Sequence, residues 1–90
     1  MFDPCSCISY IKWLEGRTEV WGYPNKIEPN SDIPWPGFNV LLKEGTYGHI
    51  AQILHIEGSN LLITEANWIP CEVSTRSLDI NDPRIRGFFH

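Results

Sequence analysis

The chain has 90 residues, a formal net charge of −4 and a hydrophobic fraction of 42%. This length fits one domain with a small core, and nothing within it resembles a flexible linker. The basic residues form no run, which argues against nucleic acid as a partner. No apolar stretch approaches the roughly 20 residues that span a bilayer, and no signal peptide is visible, so we expect no membrane insertion. Localisation stays open, because the protein could work where it is made, be released by another route, or be part of a longer chain.

The three cysteines, Cys5, Cys7 and Cys71, leave at least one free thiol. In a helix Cys5 and Cys7 would point to nearly opposite sides, which argues against a disulfide between them. The Cys-x-Cys spacing has no second pair of ligands at a recognised zinc spacing, so we expect no metal site. Cys71 follows a proline at a predicted strand start, where we expect it to serve packing.

The first predicted element is a helix that begins at Asp3 and Pro4 and ends at Gly16. Aspartate is a good N-cap, proline at the first helical position loses no hydrogen bond, and glycine is a natural C-terminal stop. One face of this helix carries, at helical spacing, Cys7, Tyr10, Ile11 and Leu14. The pattern therefore places Cys7 within about the first turn of a helix of about three turns.

Residues 17–38 are rich in proline, glycine and asparagine and predict an extended loop, with room for a short strand at 18–21. From residue 39 the sequence becomes strand-like, and turn residues separate five runs, 39–44, 48–57, 60–68, 71–80 and 84–89. Short connections predict antiparallel neighbours. One helix followed by about five strands indicates an α+β domain, with the helix packed on one face of a curled sheet.

Cys7 is the first candidate for chemistry. A cysteine near a helix N-terminus feels the positive end of the helix dipole, which favours the nucleophilic thiolate. The alternative is a small buried apolar residue that faces the sheet, a common place for a free cysteine. Cys5 shares the helix start but lies off the face of Tyr10 and Leu14, so it is the weaker candidate.

His49 is the candidate base. In a strand His49 shares one face with Ala51, Ile53 and His55, so both histidines could face the helix. His49 follows Gly48, which permits a close approach of the backbone, whereas His55 adjoins the turn at 58–59 and is expected at the rim of the sheet. The alternative is that His49 has only a structural role.

Glu65 and Asn67 continue an apolar strand face that Leu61 and Ile63 begin. A carboxylate on a half-buried face costs several kcal/mol unless it is paired, so Glu65 needs a partner. With a turn near 58–59, His49 pairs with residue 67 or 68, which brings Glu65 and Asn67 within one or two positions of the imidazole. The alternative is a carboxylate at the surface end of the strand.

The order of a helix cysteine, a strand histidine and a strand Glu-x-Asn resembles the CHAP domain, the cysteine- and histidine-dependent amidohydrolase/peptidase family of the papain-like superfamily. The matching pieces are residues 7–10, 47–51 and 65–68, and residues 33–37 resemble the family's entry to its first strand. The resemblance covers nearly the whole chain. Two departures are Cys5-Ser6 where family members often have Gly-Gln, and Gly37-Phe38-Asn39 in place of the usual Gly-Asp.

The resemblance implies a single CHAP-like domain over residues 1–90, with a papain-like α+β fold in which an N-terminal helix packs on a curled antiparallel sheet of about five to six strands. It implies a monomeric peptidoglycan hydrolase, either an endopeptidase or an N-acetylmuramoyl-L-alanine amidase, in wall remodelling, lysis or phage entry, as in a bacteriophage endolysin. Cys7 would be the nucleophile, His49 the base, Glu65 its orienting group and Asn67 a supporting polar group. The substrate would be the stem peptide or the glycan–peptide junction of the bacterial cell wall, and no metal or organic cofactor would be needed.

Exposed aromatics are expected to line the groove for this substrate. The candidates are Trp68, which follows Asn67 where the family motif has an aromatic, together with Tyr47 and Trp35. Their alternative role is packing beneath the long loop. Two other functions remain open, a non-catalytic module that binds the cell wall or a protein on the same scaffold, and a related hydrolase that acts on an amide outside the wall.

Overall fold

The computed structural model describes all residues, 1–90, and contains one α-helix and one sheet. The helix α1 spans Cys7–Glu15, and a short 3-10 turn spans Pro24–Lys26. The strands are β1 (Asn39–Leu42), β2 (His49–Glu57), β3 (Asn60–Ala66), β4 (Val73–Asp79) and β5 (Ile85–Phe89). No helix has the length and apolar character needed to cross a membrane.

The five strands form one antiparallel sheet in the order β4-β3-β2-β1-β5. Leu78 of β4 and Phe88 of β5 belong to opposite edges of this sheet, yet they pack in the same buried cluster. All five strands thus contribute to one cluster on a single face, and Arg76 of β4 reaches across the two intervening strands to pair with Glu44 after β1, as a sheet curled over this face allows. The cluster inside the curl, which we call the inner core, consists of Val40, Leu42, Ala51, Ile53, Leu61, Ile63, Leu78 and Phe88.

The helix packs on the other, outer face of the curl. Ile11 is fully buried there in a second cluster that includes Leu41 and Ile50. Polar contacts fix the same packing: the hydroxyls of Tyr10 and Thr64 lie 2.8 Å apart in a buried hydrogen bond. Residues of opposite parity along each strand thus serve the two cores, as the alternation of side chains in a strand requires.

The helix begins at Cys7, so the prediction of a start at Asp3 and Pro4 is wrong. The N-cap is Ser6, whose side chain accepts a hydrogen bond from the backbone N–H of Ser9 at 3.1 Å. Asp3 instead caps a turn, where its carboxylate accepts from the N–H of Cys5 at 2.9 Å. As a consequence Cys7 is the first residue of the helix, closer to its positive end than the sequence predicted.

Each of the five strands predicted from residue 39 onward is present, with bounds that differ from the prediction by at most two residues. The predicted short strand at 18–21 is absent. Strand β2 pairs with β3 so that Gln52 lies opposite Thr64, and a bulge follows Ile53. Extending this register places His49 opposite residue 67, which agrees with the predicted pairing to 67 or 68.

The prediction of a papain-like α+β fold is wrong. One nine-residue helix accompanies a five-stranded antiparallel sheet, which makes the domain mostly sheet. The segment between helix and sheet, residues 17–38, forms only a 3-10 turn at Pro24–Lys26. Residues 16–38 contain four prolines and three glycines. They disfavour a second helix, because proline lacks the backbone donor and glycine loses the most backbone entropy in a helix.

The packing of Ile11 predicts a large effect of its truncation on stability. Ile11→Ala would leave a cavity between α1 and the outer face of the sheet, and we expect the free energy of unfolding to fall by about 2–5 kcal/mol. Urea denaturation followed by circular dichroism measures this change. Val20→Ala is the control, because Val20 is 93% exposed, and its effect should stay within about 0.5 kcal/mol. Equal effects of the two substitutions would contradict the assigned packing.

Candidate active site

Three elements bring a thiol, an imidazole and a carboxylate together. Cys7, at the first position of α1, is a free, half-buried cysteine that lies beside His49 on the same cavity, near enough to raise the pKa of the imidazole. His49 is the first residue of β2, and its Nε2 lies 2.7 Å from Oε1 of Glu65 in β3. Because Glu65 occupies Nε2, the nitrogen left for the sulfur is Nδ1. A thiol beside an imidazole, with a carboxylate that orients the imidazole, is the arrangement of a nucleophilic triad.

The backbone around Gly48 places His49 at the mouth of the curl. Gly48 has φ +80°, and a Cβ there would lie 3.0 Å from the backbone nitrogen of Asn25. Glycine therefore lets the 3-10 turn pack against the beginning of β2. His49 has the parity of Ala51, which is part of the inner core, whereas the helix lies on the outer face. The prediction that this parity faces the helix is wrong; only the tip of α1, which reaches the end of the strand, meets His49.

Glu65 is fully buried and has two partners. Besides His49, Arg76 of β4 donates from Nε to Oε2 of Glu65 at 2.8 Å and from Nη2 to Oε1 at 3.0 Å. A buried carboxylate is tolerated only when its charge is paired and its oxygens accept hydrogen bonds, and here both conditions hold. The requirement for a partner that the sequence predicted is thus met twice.

Arg76 extends this contact into a network of alternating charges. Its guanidinium also forms an ion pair with Glu44, which in turn accepts from Nη1 of Arg84 at 2.9 Å. The guanidinium carbon of Arg76 lies 4.2 Å from the centre of the Trp68 ring, a cation–π geometry. Glu44 follows β1, Arg76 belongs to β4 and Arg84 precedes β5, so the network joins three strands at one end of the curl.

The charges around His49 change its proton affinity. Burial by itself would lower its pKa, but the hydrogen bonds and negative charges of Cys7 and Glu65 raise the pKa of His49 to about 9. Burial would likewise raise the pKa of Glu44, yet the hydrogen bond and charge of Arg76 hold that pKa below its ordinary value. At neutral pH the site therefore favours the imidazolium form of His49.

Glu44, His49 and Glu65 could in principle hold a metal ion, because their ligand atoms lie within 4.8 Å of one another. Both carboxylates, however, already accept hydrogen bonds from Arg76. The guanidinium supplies the positive charge that a divalent cation would bring, and a cation would have to displace it. The two carboxylates thus pair with the guanidinium of Arg76 and not with a metal ion.

A cavity of about 430 Å³ opens beside the sulfur of Cys7, and we call it the first cavity. It is lined by Cys7, residues 44–49, Asn67 and Trp68. Tyr47 and Trp68 are about half exposed, so their rings are available to a ligand. Five of the seven predicted site residues therefore line this cavity, and Glu65 is buried directly behind His49.

Asn67 lines the cavity but forms no hydrogen bond with His49. It has φ +65°, and its Oδ1 accepts from the N–H of Cys71 at 2.8 Å, so its side chain shapes the loop after β3. Trp35 lies outside the cavity and is 65% exposed. The N–H of Gly37, two residues after Trp35, donates to the carbonyl of Ile53. The segment of Trp35 therefore lies beside the middle of β2, four residues along the strand from His49.

A disulfide joins Cys5 to Cys71, a pairing that the sequence did not predict. It fastens the residues before α1 to the loop that carries Asn67 and Trp68, so it holds two walls of the cavity together. Cys71 is thus a cross-link rather than a packing residue. The odd cysteine count indicates a free thiol, but which two cysteines pair depends on the fold, which brings Cys71 next to Cys5.

Sequence reasoning also missed Arg76, although a signal for it existed. Leu78 belongs to the inner core, and Arg76 has the same parity along β4. A cation on an inward-facing position of the strand beside Glu65 is the natural partner of a buried carboxylate.

No family model, curated protein or solved structure matches this chain. Its function must therefore be inferred from the geometry and chemistry of the site.

The raised pKa of His49 predicts a dependence of stability on pH. Since the ordinary pKa is 6.5 and the folded value is about 9, the folded state binds the proton more tightly. This stabilisation is complete below about pH 6.5 and is lost as the pH rises through about 9. We expect the wild type to lose up to roughly 3 kcal/mol relative to His49→Gln over this window.

Urea denaturation between about pH 6 and about pH 10 measures this difference. His55→Gln is the matched control, because His55 is exposed on the same strand, and it should keep the wild-type dependence on pH. A His49→Gln protein with an unchanged dependence would show that His49 gains no proton affinity on folding.

Proposed function

We propose that this protein is a cysteine amide hydrolase that acts on bacterial peptidoglycan. The observation that carries the proposal is the position of Cys7, at the start of a helix, on one cavity with His49, whose Nε2 is held by a buried carboxylate. A helix N-terminus and an adjacent imidazolium both favour the thiolate, which is the nucleophilic form of cysteine. The cell-wall substrate is suggested by the resemblance of residues 7–10, 47–51 and 65–68 to the CHAP domain.

In the first half of the proposed reaction the Cys7 thiolate attacks the carbonyl carbon of the amide. Negative charge develops on the carbonyl oxygen, where the backbone N–H of Cys7 at the helix start is a suitable donor. The His49 imidazolium then gives its proton to the amide nitrogen, the C–N bond breaks, and the amine leaves. The products of this half are a thioester on Cys7, a free amine and a neutral His49.

In the second half the neutral His49 takes a proton from water, and the resulting hydroxide attacks the thioester carbon. The C–S bond breaks, the carboxylic acid product leaves, and the Cys7 thiolate and His49 imidazolium are restored. Throughout, Glu65 keeps the ring of His49 in one orientation. Arg76 is a positioning residue, because it holds both oxygens of Glu65 and touches neither the sulfur nor the imidazole.

A non-catalytic binding module is the second candidate, and one specific observation favours it. Cys5-Ser6 stands before the nucleophile, and Ser6 uses its hydroxyl to cap α1. The glutamine amide that CHAP domains often have before the cysteine, and that could donate to the oxyanion, is therefore absent here. The exposed rings of Tyr47 and Trp68 would suit a binder equally well.

Cleavage of purified cell walls tests the proposal. Cys7→Ala and His49→Ala should each lower the release of new amino groups by roughly a thousandfold or more, because both steps need the thiolate and the proton carrier. His55→Ala is the control and should retain wild-type activity. Circular dichroism shows whether each variant folds. Activity that persists in folded Cys7→Ala would remove the proposed nucleophile.

The rate of alkylation by iodoacetamide separates the enzyme from the binder. An activated thiolate should react faster than the thiol of an unfolded peptide at neutral pH, and the Cys7 rate should fall in His49→Ala. A rate equal to that of the peptide, together with tight binding of wall fragments, would favour the binding module.

A further inference from the structure

Cys7 lies between two cavities, not beside one. The second cavity, of about 380 Å³, is lined by residues 5–8 and 22–24 together with Tyr47, Gly48 and Asn67. It shares Cys7, Tyr47, Gly48 and Asn67 with the first cavity. The two cavities are therefore parts of one groove that crosses the sulfur, and a substrate bound along it would extend to both sides of the attacked carbonyl.

The position of His49 gives this groove a direction. His49 lines the first cavity and not the second. Because the imidazolium must deliver its proton to the nitrogen of the broken bond, the leaving amine has to lie on the side of His49, in the first cavity. The acyl group that stays on the sulfur then extends into the second cavity, along the start of α1.

The two cavities differ in charge. Glu44 and His49 line the first cavity, whereas no Asp, Glu, Lys, Arg or His side chain lines the second. A carboxylate or ammonium group of a peptide would find no opposite charge in the second cavity, and it would lose hydration there without compensation. The second cavity therefore favours an uncharged group on the acyl side of the substrate.

An aromatic wall bounds the second cavity. The rings of Tyr23 and Tyr47 stack with centroids 4.1 Å apart and planes 15° apart, and each side chain remains about half exposed. The N–H of Asn25 donates to the carbonyl of Tyr47 at 2.9 Å, which ties the two segments together. A rigid pair of exposed phenol rings offers flat apolar surface with hydroxyl groups at its edge, which suits the apolar face and the hydroxyls of a sugar ring.

We propose that the second cavity binds an uncharged, sugar-bearing acyl group against Tyr23 and Tyr47, and that the peptide leaves through the first cavity. The bond cleaved is then the amide between the sugar-linked acyl group and the peptide. This inference rests on the proposed hydrolase function, and it adds to that function the direction of the substrate and Tyr23 as a residue that determines specificity.

Two soluble substrates test the inference, an N-acetylmuramoyl peptide and the same peptide without the sugar-linked acyl group. The wild type should release an intact peptide from the first and leave the second uncut, as mass spectrometry of the products would show. Tyr23→Ala should lower kcat/KM for the first by roughly tenfold or more, chiefly through KM. Tyr23→Phe should lower it less, because the ring remains. Trp35→Ala is the matched control, since Trp35 is an exposed aromatic outside the groove.

Alkylation of Cys7 by iodoacetamide should keep the wild-type rate in Trp35→Ala and should not fall below it in the two Tyr23 variants, because Tyr23 lines the cavity beside the sulfur but takes no part in activating the thiol. Cuts within the sugar-free peptide, or equal kcat/KM for the wild type and Tyr23→Ala, would overturn this inference and leave the hydrolase function standing. A wild type that cuts neither substrate nor cell walls and alkylates slowly would overturn both.

Discussion

The arrangement depends on one buried negative charge. Glu65 has no contact with solvent, and its two oxygens are shared between His49 and Arg76. Leaving such a carboxylate unpaired would cost several kcal/mol, so the fold has to bring both partners to it. The pairing fixes the imidazole ring toward Cys7, and it fixes β4 beside β3 with its arginine turned inward. The same charge thereby sets the orientation of the base and closes one end of the curled sheet.

The curl explains how so short a chain forms a groove with two different sides. The inner core fills the curl, α1 covers the outer face, and the tip of α1 meets the ends of the strands where the inner face opens. The thiol therefore comes from outside the curl and the imidazole from within it. Glu44 and His49 flank the first cavity, and the uncharged residues 22–24 flank the second. The groove has a charged side and an uncharged side because the tip of α1 lies where the inner and outer faces of the sheet meet.

The local patterns predicted most of the strands and the pairing of His49 near residue 67, because alternation and turn residues are properties of short segments. The sequence does not fix the helix start, since Ser6 and Asp3 are both good capping residues and only the fold decides between them. Local patterns do not predict the fold class, the sheet face that His49 occupies, or the roles of Arg76 and Cys71. Each depends on which strands become neighbours and on the long loop remaining free of helix.

The disulfide between Cys5 and Cys71 has a topological consequence. It closes a covalent ring that contains α1, the loop of Tyr23, the first three strands and all the groove residues named above. A protease that nicks the backbone anywhere inside this ring would produce two fragments that stay joined by the sulfur bridge. The exposed segment 17–38, where such a cut is easiest, could thus be broken without separating Cys7 from His49.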